Sequence, residues 1–152
     1  MFQIREDDLS GAATRALLSA HLAGMHENSP PGHVFALDLS GLQRPEVTVW
    51  SAWDGEDIAG IGALRVLRDG AGEVKSMRTA KSHLRRGVAA ALLEHIIADA
   101  RRRGLGRLSL ETGSGPAFEP ALALYRKRGF IDGEPFGDYV PSRFNRFLHL
   151  SL

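Results

Sequence analysis

Apolar positions along the chain switch repeatedly between a period near two and a period near 3.6, and each switch marks an element. Phe2–Arg5 reads as a short strand. From Ser10, a suitable cap, Leu17, Leu18, His21, Leu22 and Met25 recur on one helical face, which predicts a helix running to about Met25. Asn28-Ser29-Pro30-Pro31-Gly32 stops it. His33–Leu42 fits either period. Val47–Trp53 and Ile58–Leu67 read as strands joined through Asp54-Gly55-Glu56-Asp57, a hairpin signal. Gly60 and Gly62 inside the second strand imply a close backbone approach or a bulge.

The strongest pattern comes next. Glu73–Thr79 reads as a strand, Ala80–Gly87 as a basic turn and Val88–Arg103 as a helix. Val88, Leu92 and Ile96 fall four apart with Ala89, Leu93 and Ala100 beside them, making one wide apolar stripe. Arg101–Arg103 suit the negative end of the helix dipole, and Gly104 suits its stop. Arg107–Glu111 returns as a strand, and a strand–helix–strand crossover of this length pairs it parallel to Glu73–Thr79. A second helix begins near Pro116 or Pro120 and ends at Arg128 before Gly129. Phe130–Glu134 and Phe144–Leu150 complete the pattern as strands, predicting one α/β domain over residues 1–152 with a mixed sheet.

Composition narrows the partners. A chain of 152 residues with 43% hydrophobic and 24% charged positions is ordinary for a globular domain with one core. The net charge of +1 does not point to nucleic acid. No stretch reaches the ~20 apolar residues of a membrane span, and no signal-peptide pattern opens the sequence, so a cytoplasmic location is expected. Cysteine is absent, which excludes a cysteinyl acyl-enzyme. His26, His33, His83 and His95 show no metal-ligand spacing, and no metal is expected.

The local charge matters more than the total. Arg78, Lys81, Arg85 and Arg86 lie within nine positions, next to a predicted helix N-terminus. Such an end carries unpaired N–H groups and roughly half a positive charge. Gly87, without a Cβ, lets a phosphate approach that backbone. The strand–turn–helix unit therefore reads as a diphosphate cradle, without either the P-loop or the dinucleotide fingerprint.

Arg85-Arg86-Gly87-Val88-Ala89 resembles the acyl-CoA loop, Gln/Arg-x-x-Gly-x-Gly/Ala, of the GCN5-related N-acetyltransferase (GNAT) family, with Leu84 in the Gln/Arg place. Ala121–Phe130 resembles that family's A-x-x-L-Y-x-x-x-G-F segment, and the order of elements matches over nearly the whole chain. His21-Leu22, Ser29-Pro30-Pro31, Lys75–Thr79 and Leu110–Ser114 are similar to a subgroup of small bacterial-type acetyltransferases. The resemblance implies a single-domain GNAT-like α/β fold. Its mixed central sheet has helices on both faces and two central parallel strands splayed for acyl-CoA.

It further implies transfer of an acetyl group from acetyl-CoA to a primary amine, of a small molecule or an exposed amino group, in a ternary complex. Leu84, Arg85, Arg86, Gly87, Val88, Ala89 and Ala90 would hold the diphosphate. Met77, Arg78 and Thr79 would lie along the pantetheine arm, with the Met77 N–H as donor to the thioester carbonyl. A lysine-like amine is neutral in only roughly one molecule in 2,500 at pH 7, so a base is useful. Glu73 is the first candidate, on the same side of its strand as Lys75 and Met77, and Glu111 the second. Tyr125 is the candidate acid for the departing thiolate, although it also fits as an amphipathic core residue. His21, Met25, Pro30 and Tyr139 are candidate acceptor contacts. A non-catalytic acyl-CoA sensor or partner-binding module, and acyl transfer to hydroxyls or with longer chains, stay open. Homodimers are common among such proteins, and the sequence allows one.

Overall fold

The computed structural model describes residues 2–152. One seven-stranded mixed sheet runs through the molecule in the order β1-β2-β3-β4-β5-β7-β6. In chain order the elements are β1 (Gln3–Glu6), α1 (Ala12–Asn28), α2 (Leu39–Leu42), β2 (Val47–Asp54), β3 (Asp57–Val66), β4 (Ala71–Thr79), α3 (Val88–Arg102), β5 (Arg107–Thr112), α4 (Glu119–Lys127), β6 (Ile131–Asp132) and β7 (Arg146–Ser151). Every pairing is antiparallel except β4 with β5.

Several expected boundaries move. Helix α1 starts one residue later than expected, with Gly11 as its cap: the Ser10 hydroxyl donates to Asp8 at 2.6 Å, and its oxygen does not accept from the first-turn N–H groups. It also runs on to Asn28 instead of ending near Met25. The ambiguous His33–Leu42 stretch holds only the single turn α2, capped by Asp38, which accepts from the Gly41 N–H at 2.9 Å. The strand expected over Phe130–Glu134 shrinks to β6, two exposed residues on the sheet edge.

The sheet separates two packed layers. On one face α3 buries Val88, Leu92, Leu93, Ile96 and Ala100 against Ala52, Ala59, Leu64, Val74, Leu108 and Leu148, with Leu122, Tyr125 and Phe130 completing the cluster. On the other face α1 and α2 bring Leu17, Leu18 and Leu42 onto Val49, Ile61 and Ala63. This second layer covers β2, β3 and the far end of β4, where Arg78 meets α1, and leaves the same face of the start of β4, of β5 and of β7 to loops.

Two backbone devices shape β4. The β3–β4 register shifts between Ile61 and Ala63, and opposite the shift Ser76 adopts φ 57°, a bulge. The bulge reverses the alternation, because an extra residue flips every later side chain to the other face. Glu73 and Lys75 point away from α3, but Met77 packs against α3, with its sulfur 2.7 Å from where a Gly62 Cβ would stand. The expected shared side of Glu73, Lys75 and Met77 is therefore corrected. The second device is the end of parallel pairing. It spans only Ala71–Glu73 against Arg107–Ser109, although β4 continues to Thr79 and β5 to Thr112. Beyond Glu73 the two strands part.

Gly60 lets α3 sit tightly on β3. A Cβ there would lie 2.6 Å from Val88 Cγ1 and 3.0 Å from the Arg78 carbonyl oxygen, and the latter is backbone that cannot swing away. Gly60→Ala is expected to lower stability by about 1–3 kcal/mol. Urea unfolding should show a lower midpoint at unchanged m; an unmoved midpoint would contradict this packing.

Candidate active site

Where β4 leaves β5, one strand edge stays open between Val74 and Thr79. The turn after β4 closes one end of this gap. Arg85 (φ 61°) and Gly87 (φ 84°) are both left-handed, and Gly87 caps α3 with no side chain on the first turn. A Cβ on Gly87 would meet nothing within 4 Å, so the space beyond it is open. The first N–H groups of α3, at buried Val88 and half-buried Ala89 and Ala90, thus face a clear approach. Leu84 stands 55% exposed on the rim.

The cations around this turn divide by task. Arg86 Nη2 lies 3.5 Å from Asp54 Oδ2 and over the ring of Phe2. Buried His83 also holds Asp54, through Nε2 at 3.0 Å, and that hydrogen bond keeps the Asp54 carboxyl below the usual range. The β2–β3 turn therefore braces the loop from behind. Arg85 has no ion-pair partner among the described residues. Arg78 turns away from the loop: its Nε donates to His21 Nδ1 at 3.0 Å and its Nη2 to the His21 carbonyl at 3.2 Å. Only the backbone of Arg78, paired in register with Ile61, and that of Thr79, paired with Gly60, lie along the open strand.

On the face away from α3 the side chains form a charged, mostly enclosed cluster. Glu73 is 2% exposed. Its Oε2 accepts from Tyr139 Oη at 2.5 Å and from Lys75 Nζ at 3.4 Å. Lys75 Nζ also donates to Tyr139 Oη at 2.9 Å and to the Phe35 carbonyl at 3.2 Å. Burial and the Glu73 carboxylate raise the Tyr139 phenol well above its ordinary value, so it stays protonated. Glu111, two residues beyond the last β5 position paired with β4, has its carboxyl pushed up to about 7. Burial is the main cause; Lys75 opposes it and Glu73 adds to it.

A cavity of about 1260 Å³ opens onto this cluster. Its lining includes the polar groups of Glu73, Lys75 and Tyr139, the apolar side chains of Phe35, Leu37 and Phe136, and the guanidinium-bearing Arg65 and Arg107. On the opposite face of the sheet Tyr125 is buried in the α3–α4 cluster, edge-on to Phe130. Burial raises its phenol too, and its hydroxyl has no hydrogen-bond partner among the described residues.

The sequence-predicted residues thus fall into three groups. The loop residues Leu84–Ala90 gather at the head of α3. Glu73, Glu111 and Tyr139 meet around the parting strands, with Tyr125 behind them. His21, Met25 and Pro30 do not line the cavity: His21 is buried under Arg78, Met25 is half-buried on α1 and Pro30 is exposed. Sequence reading passed over Lys75, Phe35, Phe136 and Arg65. A signal existed for two of them. Glu73 and Lys75 alternate on a central strand, where charge must face something polar, and Arg65 follows Ile61 and Ala63 on a face otherwise apolar.

The comparisons with known proteins agree with this architecture. The family model described as "Acetyltransferase (GNAT) family" matches residues 14–130. The chain belongs to the GNAT acetyltransferase family. It is 52% identical to an uncharacterised N-acetyltransferase, YedL, of Escherichia coli K12, over 100% of this chain and 96% of the relative. It is 53% identical to an uncharacterised N-acetyltransferase, YsnE, of Bacillus subtilis 168, over 90% of each. Among solved structures, one from Klebsiella pneumoniae, assigned as an acyl-CoA N-acyltransferase, superposes with TM-score 0.84 at 28% identity, covering 100% of this chain and 98% of that one. A Bacillus subtilis acetyltransferase crystallised with CoA shares the fold at TM-score 0.71 and 19% identity, covering 100% and 99%. The protein is thus an acyltransferase with a GNAT fold.

Burial, with Arg78 and Lys75 nearby, pushes the His21 imidazole down to about 4. The folded value lies below the unfolded 6.5, so the unfolded chain binds more protons between them, and stability falls as pH drops through that window. The loss should approach roughly 3 kcal/mol by pH 4. In urea titrations at pH 7 and pH 4.5, His21→Gln is expected to shrink the difference in stability; an unchanged difference would show that His21 is not its source.

Proposed function

We propose that the chain transfers an acetyl group from acetyl-CoA directly to a primary amine, most readily one on a small molecule. The observation that supports this best is the coincidence of an uncapped, open helix N-terminus with a parting of two parallel strands. Diphosphate oxygens fit against the N–H groups of Gly87–Ala90, where the helix dipole and Arg85 favour anions. The open backbone of Met77–Thr79 pairs with the amide-bearing arm as one more strand. Exposed Leu84 offers it an apolar contact. Acetyl-CoA supplies the activated acyl group as a thioester, and the chain's own residues do the rest.

The gap joins the two faces of the sheet, so acid and base work from opposite sides. Glu111 takes a proton from the acceptor amine on the cavity side. Its value near 7 suits a base at neutral pH, whereas the Glu73 carboxylate is already held by Tyr139 and Lys75. Glu73 then serves to hold Lys75 and Tyr139 in place and to raise Glu111 further. On the α4 side Tyr125 stays protonated and presents a hydroxyl donor to the leaving sulfur. The Met77 N–H, just past the bulge, polarises the reacting carbonyl.

Rate measurements test these roles. With acetyl-CoA as donor, kcat is expected to rise with pH through a midpoint near 7, the value at Glu111. Glu111→Gln should lower it about 10²–10⁴-fold and remove that midpoint. The same variant should be more stable at pH 8. The folded carboxyl binds protons up to about 7 against 4.5 unfolded, so its burial costs stability as pH rises through that range and stays unfavourable above it. A normal rate in Glu111→Gln would remove it as the base.

Tyr125→Phe should lower kcat with little change in the KM for acetyl-CoA. Equal loss of affinity and rate would instead make Tyr125 a packing residue. Mass spectrometry of the product distinguishes N-acetylation from O-acylation, and parallel assays with propionyl and succinyl donors define the acyl chain. Saturable CoA binding without turnover across amines would favour a sensor.

A further inference from the structure

We infer that the acceptor carries a carboxylate as well as its amine, and that the Arg65 guanidinium receives that carboxylate. This rests on the N-acetyl-transfer reading above and makes the substrate class a free amino acid.

Arg65 is paired in register with Glu73 across β3 and β4. Directly opposed residues on antiparallel strands point to the same face, so its side chain joins Glu73, Lys75 and Tyr139 around the cavity. The neighbouring charges are already matched. Lys75 has Glu73, Tyr139 and the Phe35 carbonyl, and Glu46 is held by Arg44 at 2.9 Å. Arg65, half-buried, has no hydrogen bond or ion pair among the described residues. Arg68 and Arg107 also line the cavity but are exposed, as are Asp69 and Asp138 at its rim.

A guanidinium presents a planar fork of donors that matches a carboxylate. Half-buried and without a partner, it gains most from a ligand that brings one. About two strand spacings, ~10 Å, separate the backbones of Arg65 and β5. An acceptor lying along this face with its carboxylate at Arg65 directs its amine past Glu73 toward the parting of β4 and β5, where Glu111 stands just outside the cavity lining, two residues beyond the last paired position. Phe35, Leu37, Phe136 and the Tyr139 ring then leave an apolar wall for its side chain. The N-terminus of a polypeptide has an amide where this carboxylate would be, so the arrangement favours a free amino acid over a protein acceptor.

Matched pairs test this: phenylalanine with phenethylamine, leucine with 3-methylbutylamine, tryptophan with tryptamine. Each is assayed with acetyl-CoA on the wild-type protein and on Arg65→Gln and Arg65→Lys. In at least one pair the amino acid should be used ~10-fold better than its decarboxylated partner. Arg65→Gln should raise the KM of that amino acid roughly 10–100-fold, leave kcat nearly unchanged and leave the plain amine untouched. Arg65→Lys, which keeps the charge but loses the fork, should fall between. A preference for the plain amines, or an Arg65→Gln effect equal on both members, overturns the carboxylate assignment while N-acetyl transfer stands. Intact CoA binding with no amine acetylated at all overturns the transfer reading, and this inference with it.

Discussion

Everything at the candidate site depends on β4 and β5 ceasing to pair after three residues. Parallel neighbours in a central sheet normally satisfy each other's N–H and C=O groups along their length, and an unmet buried group costs about 1–3 kcal/mol. Here β4 runs six residues beyond Glu73 without β5 beside it. The Ser76 bulge twists β4 out of line, and the Ser76 hydroxyl is itself buried without a hydrogen-bond partner among the described residues. A chain that keeps such an edge open has left room for a guest that brings its own amides. The same parting makes a window through the sheet, and so a proton acceptor and a proton donor can address one reacting group from opposite faces.

The bulge also sorts the side chains of β4. Before it, Val74 goes to the α3 core while Glu73 and Lys75 go to the cavity; after it, Met77 goes to α3 and Arg78 to α1. Arg78 then ties α1 to β4 through His21, which explains why a histidine on an apolar face is neutral and buried. The buried Glu73–Lys75 pair is weak support for stability, since desolvating two charges offsets most of their attraction. Its value lies in the field it sets. Tyr139 is kept protonated and Glu111 is left poised near neutrality, with one acidic neighbour and one basic one.

Much of this was legible in the sequence, for identifiable reasons. The apolar stripe of α3, the hairpin and the crossover have long, strong periods, and the head of α3 is marked by Arg85, Arg86 and Gly87. What failed was whatever depended on a single backbone torsion or a long-range meeting. Ser76 looks like any polar strand residue, so the reversal at Met77 was invisible. Ser10 had a nearer partner in Asp8. Tyr139 was a candidate acceptor contact, but its partner was not legible: it lies in a Pro/Gly/Asp-rich loop 66 residues from Glu73, and only the folded chain brings its hydroxyl to that carboxylate. His21 and Pro30, which lie in stretches of subgroup likeness, and Met25 were candidate acceptor contacts, but the cavity is built from other elements.

Amide hydrogen exchange with and without saturating CoA tests the central claim most directly, because it reads the backbone groups that the open edge and the helix N-terminus leave free. Protection should appear at Met77–Thr79 and at Gly87–Ala90 and little elsewhere. CoA binding that protects other segments and leaves both of these exchanging as in the free protein would contradict the account.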